Sequence, residues 1–352
     1  MKNRVFINGI GAVTPQGIWR PSFFEEAVPI DSPITAAIQP SYKALIPPAL
    51  IRRMSRGIKM GIFAAQQALD EAGVSTPEAI IVGTGLGCSE DSEKFLRTIL
   101  DNDEQFLTPT SFIQSTHNTV AAQIALRLAC QGYNFTYVNR SVSFESGMLD
   151  AMLQIHSGEV ANVLVGGVDE ISDHTYSLLQ RIGYIKPDGV NESIKTSQTQ
   201  GVNYAEGATF FLLSGERTAE SYAELVDVHI INSVGEDEIT ATISGFLQGN
   251  GLTSHDIDIA ILGINGDKAF DSYYFPVQEQ LTNADVLYYK HLIGQYDSCS
   301  AFAPAVAATV AKHGAAQPIL RWQGRPQRPV KNILLYNQYR GKDHSLLLVR
   351  TC

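Results

Sequence analysis

The sequence predicts an α/β protein in which sheets lie between helical layers. Three observations carry that expectation. Short apolar runs separated by segments of helical spacing recur from Val5 to Leu213 as βαβαβαβ. One run, VANVLVG from Val160 to Gly166, is almost wholly apolar, which suits a strand covered on both faces in a parallel sheet. After Arg217 the alternation starts again. The chain is therefore expected to divide into residues 1–217 and 218–352, two halves of like architecture that suggest internal duplication although no residue-level repeat is visible.

In chain order, Val5 to Val13 (VFINGIGAV) reads as a strand closed by Gly9, Gly11 and a Thr14-Pro15 turn. A proline-bearing, irregular excursion runs from Pro21 to Pro48. From Ile51 to Gly73, Met54, Ile58, Ile62, Ala65 and Leu69 recur on one helix face, and Gly73 supplies the stop. Ala79 to Val82 is the next strand and ends in GTGLG. Gly83, Gly85 and Gly87 have the look of a phosphate loop, but a nucleotide fingerprint needs a helix opening on the third glycine and an acidic residue about twenty positions on. A tight turn where backbone segments approach closely is the better reading.

Leu107 to Gly132 is expected to open on a Thr110-Ser111 turn or cap and continue as a long amphipathic helix through Val120, Ile124 and Leu128. Phe135, Thr136, Tyr137 and Val138 read as a buried strand. Ile182 to Gly201 is a polar loop of roughly twenty residues, long enough to be functional, and Ala208 to Leu213 is another buried strand. The second half offers strands Glu224 to Ile231, Ile257 to Ile264 and Val286 to Tyr289. Its helices are Asp237 to Leu247, Lys268 to Leu281 and Ala301 to Lys312, and a hairpin of Asn332 to Tyr336 with Ser345 to Arg350 completes it.

With 352 residues and 44% hydrophobic content the chain can bury a sizeable core. A net charge of −10 and a pI near 5.3 argue against a nucleic-acid surface, and basic residues cluster only in RRMSR and the Arg-rich stretch from Arg321 to Arg328. Cys88, Cys130, Cys299 and Cys352 are widely spaced with no CxxC pair, so free thiols are expected, without a disulfide framework or zinc site. No metal or cofactor is implied. No window approaches 18 uninterrupted apolar residues, and Met1 to Val5 is a charged start leading directly into a strand. The expected compartment is the cytoplasm, with no membrane partner.

The stretch from Tyr133 to Gly147 carries the chemistry. After the strand, Glu145, Ser146 and Gly147 open a helix whose Met148, Leu149, Met152 and Ile155 recur at helical spacing. Such a strand-to-helix turn thrusts one side chain outward beside free backbone N–H groups, and many α/β enzymes place a nucleophile there. Here the apex is Phe144. A phenylalanine can neither attack a carbonyl nor carry an acyl group.

Seven segments stand in a recognisable order: GIGAVTPQG, RRMSR, IVGTGLG, PTSFIQSTHNTVAAQIAL, SFESG, VLVGGVDE and GVNYAEGATFFLLSGE. Across residues 5 to 216 the chain resembles the β-ketoacyl-acyl carrier protein synthases. The resemblance implies a thiolase-like fold, two similar βαβαβ halves in a five-layered α/β/α/β/α arrangement, and thins in the second half. The family's catalytic set is a cysteine at the elbow, a histidine in an HGT-type turn and a second histidine in a KxxxGH turn. Carried over residue by residue, these positions fall on Phe144, on Asn265 in LGINGD and on Gln295 in KHLIGQ. Lys290 and Glu206 stand at positions the family uses to support its site. Amides donate hydrogen bonds but do not shuttle protons.

The resemblance therefore narrows to the catalytically silent subunits called chain-length factors. These pair with an active ketosynthase in polyketide, polyene and related systems, meeting acyl carrier protein through that partner. It implies a dimer with the strand from Phe135 to Val142 at the interface, Phe144 as a plug, and Tyr137, Thr119 and Gln123 at the tunnel or interface. Two alternatives stay open. One is an active acyltransferase or condensing enzyme with a displaced nucleophile among Ser141, Ser143, Ser146, Cys88 and Cys299, drawing a base from His117, His156, His174 or His291. The other is a homodimeric acyl-binding protein without catalysis.

Overall fold

The first strand, β1 (Val5–Thr14), is buried along its whole length, and its glycines decide what lies on it. In the computed structural model, which describes residues 3–324 and 329–352, a Cβ on Gly11 would stand 2.0 Å from the Ala64 carbonyl oxygen. Only glycine lets helix α1 (Arg56–Ala72) rest against the strand. Ser55 caps α1, its Oγ accepting from Ile58 N, and Gly73 ends it in the left-handed conformation. The helix expected from Ile51 thus starts five residues later, and Pro48–Ile51 forms a separate turn of helix with no buried residue.

Four further long strands build the sheet of the first half: β2 (Ala79–Gly83), β3 (Tyr133–Tyr137), β4 (Asn162–Asp169) and β5 (Gly207–Ser214). Their order is β3-β2-β4-β5-β1, parallel from β3 to β4 and antiparallel from β4 to β1. The second half contributes β6 (Ala223–Asn232), β7 (Ile259–Leu262), β8 (Asp285–Tyr288), β9 (Asn332–Tyr339) and β10 (Asp343–Arg350). Their order, β8-β7-β9-β10-β6, repeats the first with the same parallel and antiparallel neighbours. A short antiparallel ladder between Val5–Ile7 and Ala223–Leu225 joins the two half-sheets.

Helices fill the remaining layers in matching positions. α3 (Ser143–Ser157) and α6 (Phe302–His313) share one core with the facing sides of both half-sheets, through Phe144, Met148, Phe211, Ile261, Phe302 and Val306. α1 and α2 (Thr119–Leu128) cover the outer face of the first half-sheet around Ile58, Leu69, Val82 and Val120. α4 (Ile239–Gly249) and α5 (Phe275–Gln280) cover that of the second around Ile243, Leu262 and Val277. The five layers run helix, sheet, helix, sheet, helix, as the sequence resemblance implied.

Several boundaries differ from the sequence reading. The expected long helix before Gly132 is two helices, Pro109–Ser115 and α2. Lys268 to Leu281 is broken into a 3-10 turn, Asp271–Tyr274, and α5, with Pro276 unable to continue the hydrogen-bond ladder of a longer helix. The strand expected to be buried, β3, is exposed or half-exposed along its length because it lies at the sheet edge with β2 as its neighbour. Composition does not tell an edge strand of aromatics from a central one. The helix expected to open at Glu145 begins at Ser143. Of the Arg-rich stretch, Arg321–Gln323 is a short strand on β8, and residues 325–328 lie outside the described residues. Among the described residues no helix is long and apolar enough to cross a membrane.

Replacing Gly11 by alanine forces β1 and α1 apart and costs about 1–3 kcal/mol of stability, read as a lowered urea midpoint with the m-value unchanged.

Candidate functional site

The elbow is built by β3, a 3-10 turn at Arg140–Val142 and the first turn of α3. Ser143 closes it: its hydroxyl donates to the Arg140 carbonyl at 2.6 Å and accepts from Asn139 N at 2.8 Å. Phe144 is then the second residue of the helix, and its side chain points inward rather than outward. It is fully buried, with its ring centroid 6.0 Å from that of Phe211. Gly83 makes the room, since a Cβ there would stand 2.5 Å from the backbone nitrogen of Phe144. The expected outward apex is therefore corrected: a benzyl group in this layer gains by burial in the core that both half-sheets share.

The second half brings its three predicted residues into one hydrogen-bonded group. Gln295 Oε1 accepts from Lys290 Nζ at 2.9 Å and from Asn265 Nδ2 at 3.1 Å, while Gln295 Nε2 donates to the Tyr296 carbonyl at 3.0 Å. Asn265 Oδ1 accepts from Asp267 N at 3.1 Å. Each amide is thus fixed at both ends, and neither can change protonation near neutral pH. Ser141 and Val142 of the elbow, Lys290, Gln295 and Cys299 border a single void of about 10 Å³, room for one water at most. Phe144 and Asn265 are not among its walls.

Three further buried carboxylates, Glu206, Glu145 and Asp169, are held by groups from distant segments. Glu206 accepts from Ala37 N and Ile171 N and stands 3.5 Å from Arg56 Nη1, tying the proline-bearing excursion to the RRMSR segment. Burial pushes its carboxyl up. Glu145, one residue past Phe144, accepts from Ser345 Oγ at 2.9 Å, and burial raises its carboxyl as well. Asp169 at the end of β4 is the most heavily bonded. One oxygen accepts from Thr84 Oγ1, Gly85 N and Leu86 N, and the other from the backbone and side chain of Ser298. The amides of the GTGLG turn that a phosphate would need are already spent on Asp169. In the sequence Asp169 is not marked out beyond its place in the VLVGGVDE segment. The signal available was an acidic pair, Asp169 and Glu170, closing a wholly apolar run.

The displaced-nucleophile residues are committed elsewhere. Ser141 Oγ donates to Asp343 Oδ2 at 2.9 Å, and Ser146 Oγ to the Val142 carbonyl at 2.8 Å. Cys88 and Cys299 are buried, and desolvation pushes both thiols up, away from the reactive thiolate. His291 stacks on Tyr288, bonds to the Ile319 carbonyl, and is held neutral down to about pH 3 by burial. His117 and His174 are exposed. Thr119, expected at the tunnel or interface, is buried with its hydroxyl donating to the Ile113 carbonyl at 2.7 Å. Gln123 is half-buried, and the Tyr137 hydroxyl donates to Asp150. Among the described residues no group of three or more His, Cys, Asp or Glu side chains could hold a metal ion.

The duplicated five-layer architecture, with an elbow at the start of its central helix, defines the thiolase-like fold. Residues 35–219 match the family model of the beta-ketoacyl synthase N-terminal domain, and the chain belongs to that family. No curated protein sequence matches it. Among solved structures it is similar to the ishigamide ketosynthase/chain length factor, at 19% identity and a TM-score of 0.82 with 100% of each chain covered. It is likewise similar to a beta-ketoacyl synthase from Burkholderia phymatum, at 17% identity and a TM-score of 0.83 with full coverage of both chains. A third similar structure is a ketosynthase in complex with its chain length factor from Xenorhabdus doucetiae, at 14% identity and a TM-score of 0.76, covering 99% of this chain and 98% of that one.

Asp169→Ala leaves buried donors on Thr84, Gly85, Leu86 and Ser298 without an acceptor, at about 1–3 kcal/mol for each that water cannot reach. Urea denaturation followed by far-UV circular dichroism should show a variant far less stable than Asp169→Asn, which keeps one acceptor oxygen.

Proposed function

We propose that this chain is a catalytically silent, chain-length-factor-type subunit. It pairs with an active ketosynthase in the cytoplasm and helps set the length of a polyketide, polyene or related acyl chain. The observation that carries the reading is the buried Phe144 at the nucleophile position, with the amides of Asn265 and Gln295 where the family has imidazoles. A Claisen condensation needs a thiolate to hold the chain and groups that can stabilise an enolate and move protons, and this centre has room for one water at most.

The pairing half of the reading draws on an asymmetry between the two sheet edges. In the second half the edge strand β8 is covered by Arg321–Gln323. In the first half β3 pairs with β2 alone, and Tyr133 and Phe135 are 42% and 44% exposed. Their rings stack at 6.0 Å, and Tyr137 lies 4.9 Å further along. Phe112, Ile113 and Leu126 are exposed as well. An uncovered edge of this kind invites a second chain, and the family resemblance supports the strand of an active ketosynthase as that chain. Acyl carrier protein would then be met through the partner.

Co-expression with ketosynthases from neighbouring genes should yield a stable heterodimer on size exclusion. A stable homodimer that captures none of them would overturn the pairing. Phe135→Glu, at an exposed position, should abolish the complex while leaving the circular dichroism spectrum unchanged.

Phe144→Cys should restore no condensing activity to the isolated chain, because both amides remain. Mass spectrometry of the intact variant after incubation with acyl-CoA and malonyl donor, followed by product analysis, checks this; a turnover product would sink the silent-subunit reading.

A further inference from the structure

The aromatics of the edge strand β3 are arranged around one charge. The hydroxyls of Tyr133 and Tyr137 donate to the same oxygen of Asp150, at 3.1 and 3.2 Å, and Gln154 Nε2 donates to the other at 3.0 Å. All three donors are neutral, and among the described residues Asp150 forms no ion pair. Tyr133 also feels the carboxylate of Glu159, so a second negative charge lies at this end of the edge. The surroundings are apolar. Phe135 stands between the two tyrosines, its ring 6.0 Å from one and 4.9 Å from the other. Val138, just past the strand, is exposed, and so is Leu153, three residues along α3 from Asp150 and on the same helix face.

A chain that pairs with this edge takes the half-buried Asp150 further out of water together with the rings that hold it. Removing a carboxylate from water is costly unless a cation meets it. A second copy of this chain brings none. Two copies joined through one edge meet about a two-fold axis, so each presents the same patch to the other. Antiparallel pairing centred on Phe135 sets Tyr133 of one chain opposite Tyr137 of the other. Both tyrosines lead to Asp150, so self-pairing gathers two Asp150 carboxylates at one apolar seam, like charge toward like charge.

We propose that Asp150 is the specificity determinant of this edge: it opposes self-pairing and selects a different chain that carries a lysine or arginine where a second copy would carry Asp150. The inference rests on the reading of β3 as the pairing edge and adds the chemistry of the strand that meets it. Specificity of this kind comes from a repulsive group set against the wrong partner as much as from contacts with the right one. The aromatics supply area to any apolar strand, and the carboxylate sorts among them.

Sedimentation equilibrium of the full chain by itself tests it. The wild-type chain should self-associate weakly, and more strongly in about 1 M NaCl, where the Debye length is about 3 Å, than in about 0.01 M, where it is about 30 Å. Asp150→Asn keeps an acceptor for the tyrosine hydroxyls. It should self-associate about tenfold or more tightly than the wild type at low salt and lose most of the salt response. Asp150→Lys mixed with the wild-type chain should form a one-to-one pair about tenfold tighter than either forms with itself, an advantage that about 1 M NaCl removes. Should the lysine variant fail to fold, Asp150→Asn decides by itself. Self-association of Asp150→Asn within about twofold of the wild type, or a mixture of folded chains no tighter than its components, overturns the proposal. Capture of a ketosynthase is read separately by co-expression. Capture without the Asp150→Asn response sinks this inference alone, and the response without capture sinks the ketosynthase pairing alone.

Discussion

The carboxylate of Asp169 accepts five hydrogen bonds from two different halves of the chain. On one side it gathers the turn after β2, and on the other it holds Ser298, four residues before α6 begins. A buried charge is tolerated only when its lone pairs are filled, and here they are filled by groups that no single half could supply. The approach is tight: a Cβ on Gly85 would stand 2.1 Å from a carboxylate oxygen of Asp297. Everything at the centre, from the elbow to Lys290 and Gln295, depends on that junction.

The duplicated topology explains why the centre lies where it does. Each half sends one helix, α3 or α6, into the middle layer, and Phe144 stands at the start of the first of these. A large apolar side chain at position 144 is favoured there because the same core receives Phe211 and Phe302 from the two halves. Lys290 and Gln295, tied to each other and through Gln295 to Asn265, border a void of about 10 Å³. The halves differ at their edges. One edge is capped by a short strand of the chain itself, and the other presents a ladder of stacked aromatics.

Much of the architecture was legible in the sequence because apolar period and turn residues report local structure directly. β1, α1 with its Gly73 stop, β4 and the repeated alternation after Arg217 all appear close to where periodicity places them. The helix from Lys268 to Leu281 fails because Pro276 outweighs the apolar spacing. The edge position of β3 was not legible, since a strand of Tyr, Phe and Tyr has the same pattern whether a neighbour covers it or not. Nor was the inward turn of Phe144, which depends on a helix starting two residues earlier than its polar residues suggest.

The sequence alone determined that residue 144 carries a benzyl group and that residues 265 and 295 carry amides, because those are facts of residue type; flanking motifs tie Phe144 and Gln295, more firmly than Asn265, to the positions where the resemblance implies a cysteine and two histidines. Only the tertiary structure decided that Gln295 ties Lys290 to Asn265 and that Asp169 spends the glycine-rich turn's amides. These depend on which side chains meet once the chain has folded, and contacts across 30 positions (Asn265 with Gln295) or 84 positions (Gly85 with Asp169) leave no periodicity for a sequence to display.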